Sequence, residues 1–373
     1  MKILVAGDFC PQHRVAALFE QDDYASVLSA VKPIVSEVDY SIVNFECPVC
    51  KGGEMPIEKH GPNLKCTEKG VKAVAWAGFD CVTLANNHFL DYGEEGVNNT
   101  LEACKKYNID VVGGGQNLKS ASTILYKEIG RQKLAIINCC EHEFSIATKT
   151  SAGSNPLNPI QQYYDIREAR SKADYVLVIV HGGIEHFQLP SPRMQDTYRF
   201  FVDAGADAVV NHHQHCFSGY ELYKGKPICY GLGNFCFDKN KEMANSWHEG
   251  VMCEISFEGT TNFRMIPYQQ CKIAPSVDID MNSDILEKLA SLNKIISAKG
   301  LLEMECETYL ERTKMGYINT LVPYGRFVTW LRRKGLIKST LPKRWLIAAS
   351  NHINCESHLD RMRQAINSLM EKN

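Results

Sequence analysis

The sequence predicts an α/β protein. Short apolar runs rich in β-branched residues alternate with amphipathic helical stretches through the first two-thirds of its 373 residues, the pattern of βαβ units with buried strands and helices on both faces. Hydrophobic content of 45% and charged content of 23% are those of a soluble globular protein. Polar clusters stand at the ends of several apolar runs, where open α/β sheets place their ligand sites.

Taken in order, Ile3–Ala6 reads as the first strand and Tyr24–Val35 as a helix, followed by the strand Ser41–Phe45. Glu68–Trp76 carries helical periodicity and ends before Gly78, a residue suited to the left-handed turn of a C-terminal cap. Cys81–Ala85 is the third strand, Glu94–Tyr107 the next helix, and Val111–Val112 and Leu134–Cys139 further strands. The helix Ile160–Lys172, strand Val176–Val180, helix Met194–Ala204 with Gly205 behind it, and strand Ala208–Val210 complete the alternation. From about Ser218 the pattern changes to Gly219–Tyr223, Lys226–Tyr230, Val251–Phe257 and Phe263–Tyr268, strands joined by tight turns such as Lys224-Gly225-Lys226 and expected to be antiparallel. Helical signals return at Ile285–Ala298, Leu301–Arg312, Arg326–Lys334 and Ser357–Met370. A boundary near Met281 therefore separates a body, residues 1–280, from a helical extension, residues 281–373.

Net charge is -2, which excludes a global attraction to nucleic acid or anionic membrane; any electrostatic partner must be met locally. The extension carries fifteen Lys/Arg against nine Asp/Glu, and seven basic residues with no acid lie between Arg326 and Arg344, interleaved with Phe327, Trp330 and Trp345. Such a run is ordinarily a solvated face; its sharper reading is contact through residues 326–345 with a membrane surface, an anionic polymer or a partner protein. The opening residues run directly into a core strand, and no apolar stretch reaches the roughly 18 residues of a membrane span. The fifteen cysteines lack regular spacing and several lie inside apolar strands, so reduced thiols and a cytoplasmic location are expected.

The polar residues at strand ends form a series. Asp8 follows the first strand, and Asn44 and Glu46 flank the end of the second. Asn86-Asn87-His88 follows the third, with Asp91 behind it; His181 and Glu185 follow another, and His212-His213-Gln214-His215 the last. Asn234 lies in a glycine-bracketed turn. Each has an ordinary explanation alone: an Asp after a strand caps a helix, Asn-Asn-His makes a side-chain turn, and a single histidine satisfies itself in a core. Jointly they are the imidazole, amide and carboxylate donors that hold divalent Mn, Fe or Zn. Ionised groups gathered in a cleft need partners, and a pair of cations would satisfy them.

In this order, Gly7-Asp8, Asn44-x-Glu46, Ala85-Asn86-Asn87-His88-x-x-Asp91-Tyr92-Gly93, His181-x-Gly183-x-Glu185, His212-His213-x-His215 and Leu232-Gly233-Asn234-Phe235-x-Phe237-Asp238 resemble the successive motifs of the CapA proteins of poly-γ-glutamate capsule synthesis, which are similar to the calcineurin-like metallophosphatases. The resemblance spans Met1 to about Asp238 and implies a four-layer α/β/β/α sandwich with a C-terminal helical extension. It implies Asp8, Glu46, Asn87, His181, His213 and His215 as ligands of two divalent ions, with Glu46 in the bridging place usually held by Asp. It makes His88 the general acid, and Asn44, Asn86, Asp91, Glu185, His212 and Asn234 supporting or substrate-contacting residues. Cys10 stands where the metallophosphatase pattern has a His, and reads as a buried bystander.

The function expected from this resemblance is a metal-dependent hydrolase of a phosphoester or a γ-glutamyl amide, with an anionic polymer or phosphoester as substrate. The alternative is a non-catalytic metal-binding accessory of capsule polymer synthesis or export. Only the first needs an acid beside Asn87.

Overall fold

The computed structural model describes the chain apart from residues 259, 282–283, 322–325, 335, 337–341 and 371–373. Two sheets carry the fold. In the first, the opening strand Lys2–Phe9 pairs in parallel with Tyr40–Phe45, which is followed by Cys81–Thr83 and Asp110–Val112, also parallel. On its other side the antiparallel strands Glu249–Glu258, Thr260–Gln270 and Val277–Ile279 extend the sheet, while Asn234–Cys236 pairs in parallel with its last residues. The second sheet runs Tyr220–Tyr223, Lys226–Cys229, Ala208–His212, Tyr175–His181, Gln132–Cys140, Leu125–Ile129, with parallel pairing through its centre.

Alternation along the strands makes the layers. Ile3, Val5 and Ile42 of the first sheet face Ile136, Ile179 and Val210 of the second in one shared core. Their neighbours Leu4, Ala6 and Val43 turn outward against Val71, Val74 and Val97 of the helices Glu68–Ala77 and Gly93–Lys106. On the far side, Ile137, Val178 and Val209 pack against Ile166, Tyr198 and Phe201 of the helices Pro159–Lys172 and Pro192–Ala204. The result is α/β/β/α. Strands buried on both faces read as unbroken apolar runs, which is why they stood out in the sequence.

Gly78 and Gly205 end their helices with φ of 95° and 127°. The predicted helix Tyr24–Val35 is instead two short ones, Ala25–Leu28 and Lys32–Ser36, the second restarting at Pro33, which suits a first turn because it has no N–H to leave unpaired. Leu301–Arg312 continues to Leu321. The strands Leu125–Ile129 and Asn234–Cys236 and the helices His13–Glu20 and Lys343–Asn354 had no counterpart in the sequence reading. Part of the basic run, Gly335 and residues 337–341 with the side chains of Arg326, Arg332 and Arg333, lies outside the described residues.

Helices after Met281 pack on the second sheet. Ile296, Leu302 and Cys306 join its outer core. Asn293 accepts the Tyr220 amide at 2.7 Å, and Gln195 donates to the Ile296 carbonyl at 3.2 Å. The last helix, Glu356–Met370, is fixed by charge: Arg193 bridges buried Glu141 at 2.6 Å and Asp360, and Glu141 also accepts the Ser357 amide and hydroxyl. No helix among the described residues is long and apolar enough to cross a membrane.

Candidate metal centre

Register brings the polar strand ends together. Asp8 pairs with both Asn44 and Asn234 across the first sheet, and His181 pairs with His212 across the second. The two rows meet where the sheets' carboxyl ends face each other, and all five residues are buried. Gly7 permits this close approach, because a Cβ there would stand 2.0 Å from the Gly233 carbonyl oxygen. His213 and His215 extend beyond their strand with φ of 94° and 57°, conformations uncommon for residues with a Cβ and concentrated at functional sites.

The donor atoms converge in two overlapping sets. Asn87 Oδ1 and His213 Nδ1 each lie 3.1 Å from His181 Nε2, and Glu46 Oε1 is 3.9 Å from that same nitrogen. Glu46 Oε1 is also 3.8 Å from His215 Nε2, and Asp8 Oδ2 is 3.7 Å from His215 Nδ1. Ligand atoms of Asp8, Glu46 and His181 all lie within 4.8 Å of one another. Asn44 stands between the acids, its Nδ2 donating to Asp8 at 2.8 Å and reaching Glu46 at 3.4 Å and His181 Nδ1 at 3.3 Å.

Neighbouring amides aim these donors. Asn234 spends its Nδ2 on the carbonyls of His215 and Trp247, so its Oδ1, 3.0 Å from His215 Nδ1, accepts that N–H and leaves the Nε2 lone pair toward Glu46. Asn87 donates its Nδ2 to Glu143 at 3.3 Å, which turns Oδ1 toward His181. Asn86 serves the loop: it donates to the Phe45 carbonyl and accepts the His88 amide. His212 is turned away from the donor sets, its Nε2 bound to the Ala6 carbonyl at 2.9 Å, and so ties the two sheets together. Glu185 is half-exposed beside His186.

The electrostatics of the cluster are compatible with a cation between its donors. Burial, and then the charge of Asp8, push the Glu46 carboxyl well above its ordinary range, and Glu46 Oε1 has no hydrogen-bond partner among the described residues. Burial drives the His181 ring well below its usual value and holds His215 at about 4, despite the attraction of Glu185 and Asp8. Neutral imidazoles beside an orphaned carboxylate oxygen fit a divalent ion better than they fit one another.

His88 lies outside the donor sets. Its Nδ1 is 2.6 Å from Asp91 Oδ2, and the ammonium of Lys59, almost fully buried, contacts Asp91 Oδ1 and lies 3.0 Å from the same Nδ1. Asp91 also accepts the Leu64 amide. Burial lowers the pKa of His88, with Asp91 opposing, so its protonated form is a stronger acid than free imidazolium.

Against known families, residues 2–239 match the bacterial capsule synthesis protein PGA_cap. The chain belongs to this family. It is 35% identical over 247 residues to the capsule biosynthesis protein CapA of Bacillus anthracis, a match covering 64% of this chain and 60% of that one. It is 31% identical to the PGA biosynthesis protein CapA of Bacillus subtilis, covering 72% of each. Likeness to solved structures is remote: a 5'-nucleotidase precursor from Thermus thermophilus has a TM-score of 0.46 and 11% identity, over 78% of this chain and 58% of that one.

Two residues beside the centre escaped the sequence reading. Glu143 contacts Asn87 and stands 3.7 Å from His213 Nε2; the acid–His–acid run after the strand Gln132–Cys140 was its signal. Lys59 sits in an irregular segment where no periodicity marks it. Cys10 packs in the outer core of the first sheet.

Proposed function

We propose that this chain is a metal-dependent hydrolase that cleaves a phosphoester or a γ-glutamyl amide bond in capsule polymer metabolism. The observation that supports it most is the gathering of carboxylate, amide and imidazole donors around the orphaned Glu46 Oε1, with a separately oriented histidine close in sequence. Asp8, Glu46 and His215 would hold one divalent ion, and Glu46, Asn87, His181 and His213 a second, drawn from Mn, Fe or Zn. Bound ions supply Lewis acidity and the lowered water pKa that makes a nucleophile near neutral pH.

The chain's own residues do the rest. Asp91 accepts the Nδ1 proton of His88 and fixes the ring, so that Nε2 delivers a proton to the departing oxygen or nitrogen. Lys59 pairs with Asp91, and its charge adds to the burial that discourages a permanent charge on His88. Asn44 and Asn234 keep the donors in register, and Glu185, at the half-exposed rim, would meet substrate. Residues 1–280 would carry the reaction, and the basic run of the extension would hold an anionic chain or a membrane surface.

The test is turnover of generic phosphodiesters and γ-glutamyl oligomers with added Mn²⁺, for the native chain and for Asp8→Ala, His213→Ala and His88→Ala. Metal-dependent turnover lost in all three supports the proposal. A Mycobacterium tuberculosis relative, 24% identical, bears the name probable polyglutamine synthesis accessory protein. If metal binds but neither substrate class turns over, a non-catalytic accessory role replaces hydrolysis.

A further inference from the structure

We propose a second kind of metal site: Glu143, Cys355 and His358 together bind a thiophilic divalent ion, Zn²⁺ or Fe²⁺, that fastens the terminal helix to the loop beside the first centre. One ligand atom of each lies within 4.8 Å of the others. Cys355 directly precedes the helix Glu356–Met370 and His358 lies in its first turn, three positions on. Glu143 comes from the loop after the strand Gln132–Cys140, so the three donors join segments more than 200 residues apart.

The surroundings distinguish these three from their neighbours. Glu141 and Glu356 also approach Cys355, but their charges are committed. Glu141 pairs with Arg193 at 2.6 Å and caps Ser357, and Glu356 takes the amide and ring nitrogen of His142. Among the described residues the Glu143 carboxylate makes a 3.3 Å bond to Asn87 and long approaches, 3.7 Å to His213 and 4.0 Å to Cys355. The Cys355 thiol faces carboxylate oxygens at 3.5 and 4.0 Å, unlike the cysteines buried in the apolar strands. His358 Nδ1 rests 3.1 Å from the Tyr317 hydroxyl. That contact fixes the ring much as a supporting hydrogen bond fixes a metal-bound histidine.

The chemistry selects the ion. Thiolate, imidazole and one carboxylate leave a fourth position open in a tetrahedron and disfavour the hard cations Mg²⁺ and Ca²⁺. Zinc bonds of about 2.0–2.3 Å draw ligand atoms closer than the present triangle, so a modest turn of the side chains closes it. Binding would release the thiol proton to solvent.

Cobalt substitution tests the site independently of any hydrolysis. None of the donors assigned to the first centre is a thiol, so a sulfur-to-cobalt charge-transfer band in the full chain loaded with Co²⁺ reports a cysteine ligand outside that set, and the variants say which one. We expect that band, its loss in Cys355→Ser and weakening in His358→Gln, its retention in Cys10→Ser and Asp8→Asn, and one equivalent less bound Zn²⁺ in Cys355→Ser. Zn²⁺ should also slow amide exchange across residues 356–370 in the native chain and not in Cys355→Ser. Absence of the band in the native chain, or its loss in Cys10→Ser rather than Cys355→Ser, overturns the proposal.

Discussion

Nε2 of His215 lies 3.8 Å from Oε1 of Glu46, too far for a hydrogen bond and close enough for both to share an ion. A buried carboxylate so placed is destabilising until a cation arrives. In chelator-treated protein, Glu46→Gln should therefore melt at or above the native temperature. Added Mn²⁺ should raise the native Tm and move that of the variant much less. Calorimetry with and without metal measures both, and a lower Tm for the chelated variant would contradict the account.

His88 is held by Asp91 and not by the donor sets. His88→Ala should therefore lower kcat by about 10²–10⁴-fold, the usual worth of a positioned general acid, while metal content stays at the native level. Elemental analysis beside steady-state kinetics separates this from a ligand's role. Loss of metal in the variant would count against an acid at this position.

Half-buried Arg193 and buried Arg361 should respond differently to loss of charge. Arg193 pairs with Glu141 and Asp360, so Arg193→Ala strands two acids and should cost about 3–5 kcal/mol. Arg361 lies against the stacked rings of Phe187 and Tyr309, and its Nε and Nη2 lack partners among the described residues. Arg361→Met keeps the packing and should change stability by less than about 1.5 kcal/mol. Denaturant titration of both variants gives the comparison.

Gly7→Ala should destabilise by about 1–3 kcal/mol or more, the cost of overpacking, since the added carbon meets a backbone oxygen that cannot turn aside. Urea midpoints measure it. A neutral result would mean that the strands Lys2–Phe9 and Asn234–Cys236 separate more easily than their pairing suggests.

Asp22 gathers Lys69, Lys72 and the Tyr24 hydroxyl, which hold its carboxyl below the ordinary range. A depressed folded-state pKa contributes stability that is present above the unfolded value, about 3.9, and is lost as pH falls toward the folded one. Asp22→Asn should thus lower Tm at pH 7, and the gap should close in acid. A gap that widened below pH 4 would reverse the sign.

The parallel strands and the residues at their ends were legible because burial on both faces leaves an unbroken apolar run, after which a polar residue is conspicuous. His212 was legible in type and not in direction: adjacent positions on a strand face opposite ways, and only the second sheet's placement shows its ring meeting Ala6. Lys59 lay unmarked in an irregular segment, and Glu143 in a loop where only the acid–His–acid run signalled it; long-range contacts, with Asp91 for the first and Asn87 for the second, give them their places. Most of the extension's helices announced their periodicity but not their seat, since that depends on contacts distant in sequence, such as Ile296 in the outer core and Arg193 with Glu141 and Asp360.

The opening strand's neighbours arrive at very different times. Tyr40–Phe45 follows soon after, whereas Asn234, opposite Asp8, comes 226 residues later, and Ile255, opposite Ile3, later still. A nascent chain leaving the ribosome therefore exposes one flank of its central strand until most of the polypeptide has been made. Long-range closure of this kind is slow and leaves a sticky edge open to other chains. Asp8, the first aspartate of the donor cluster, is therefore among the last residues to be enclosed.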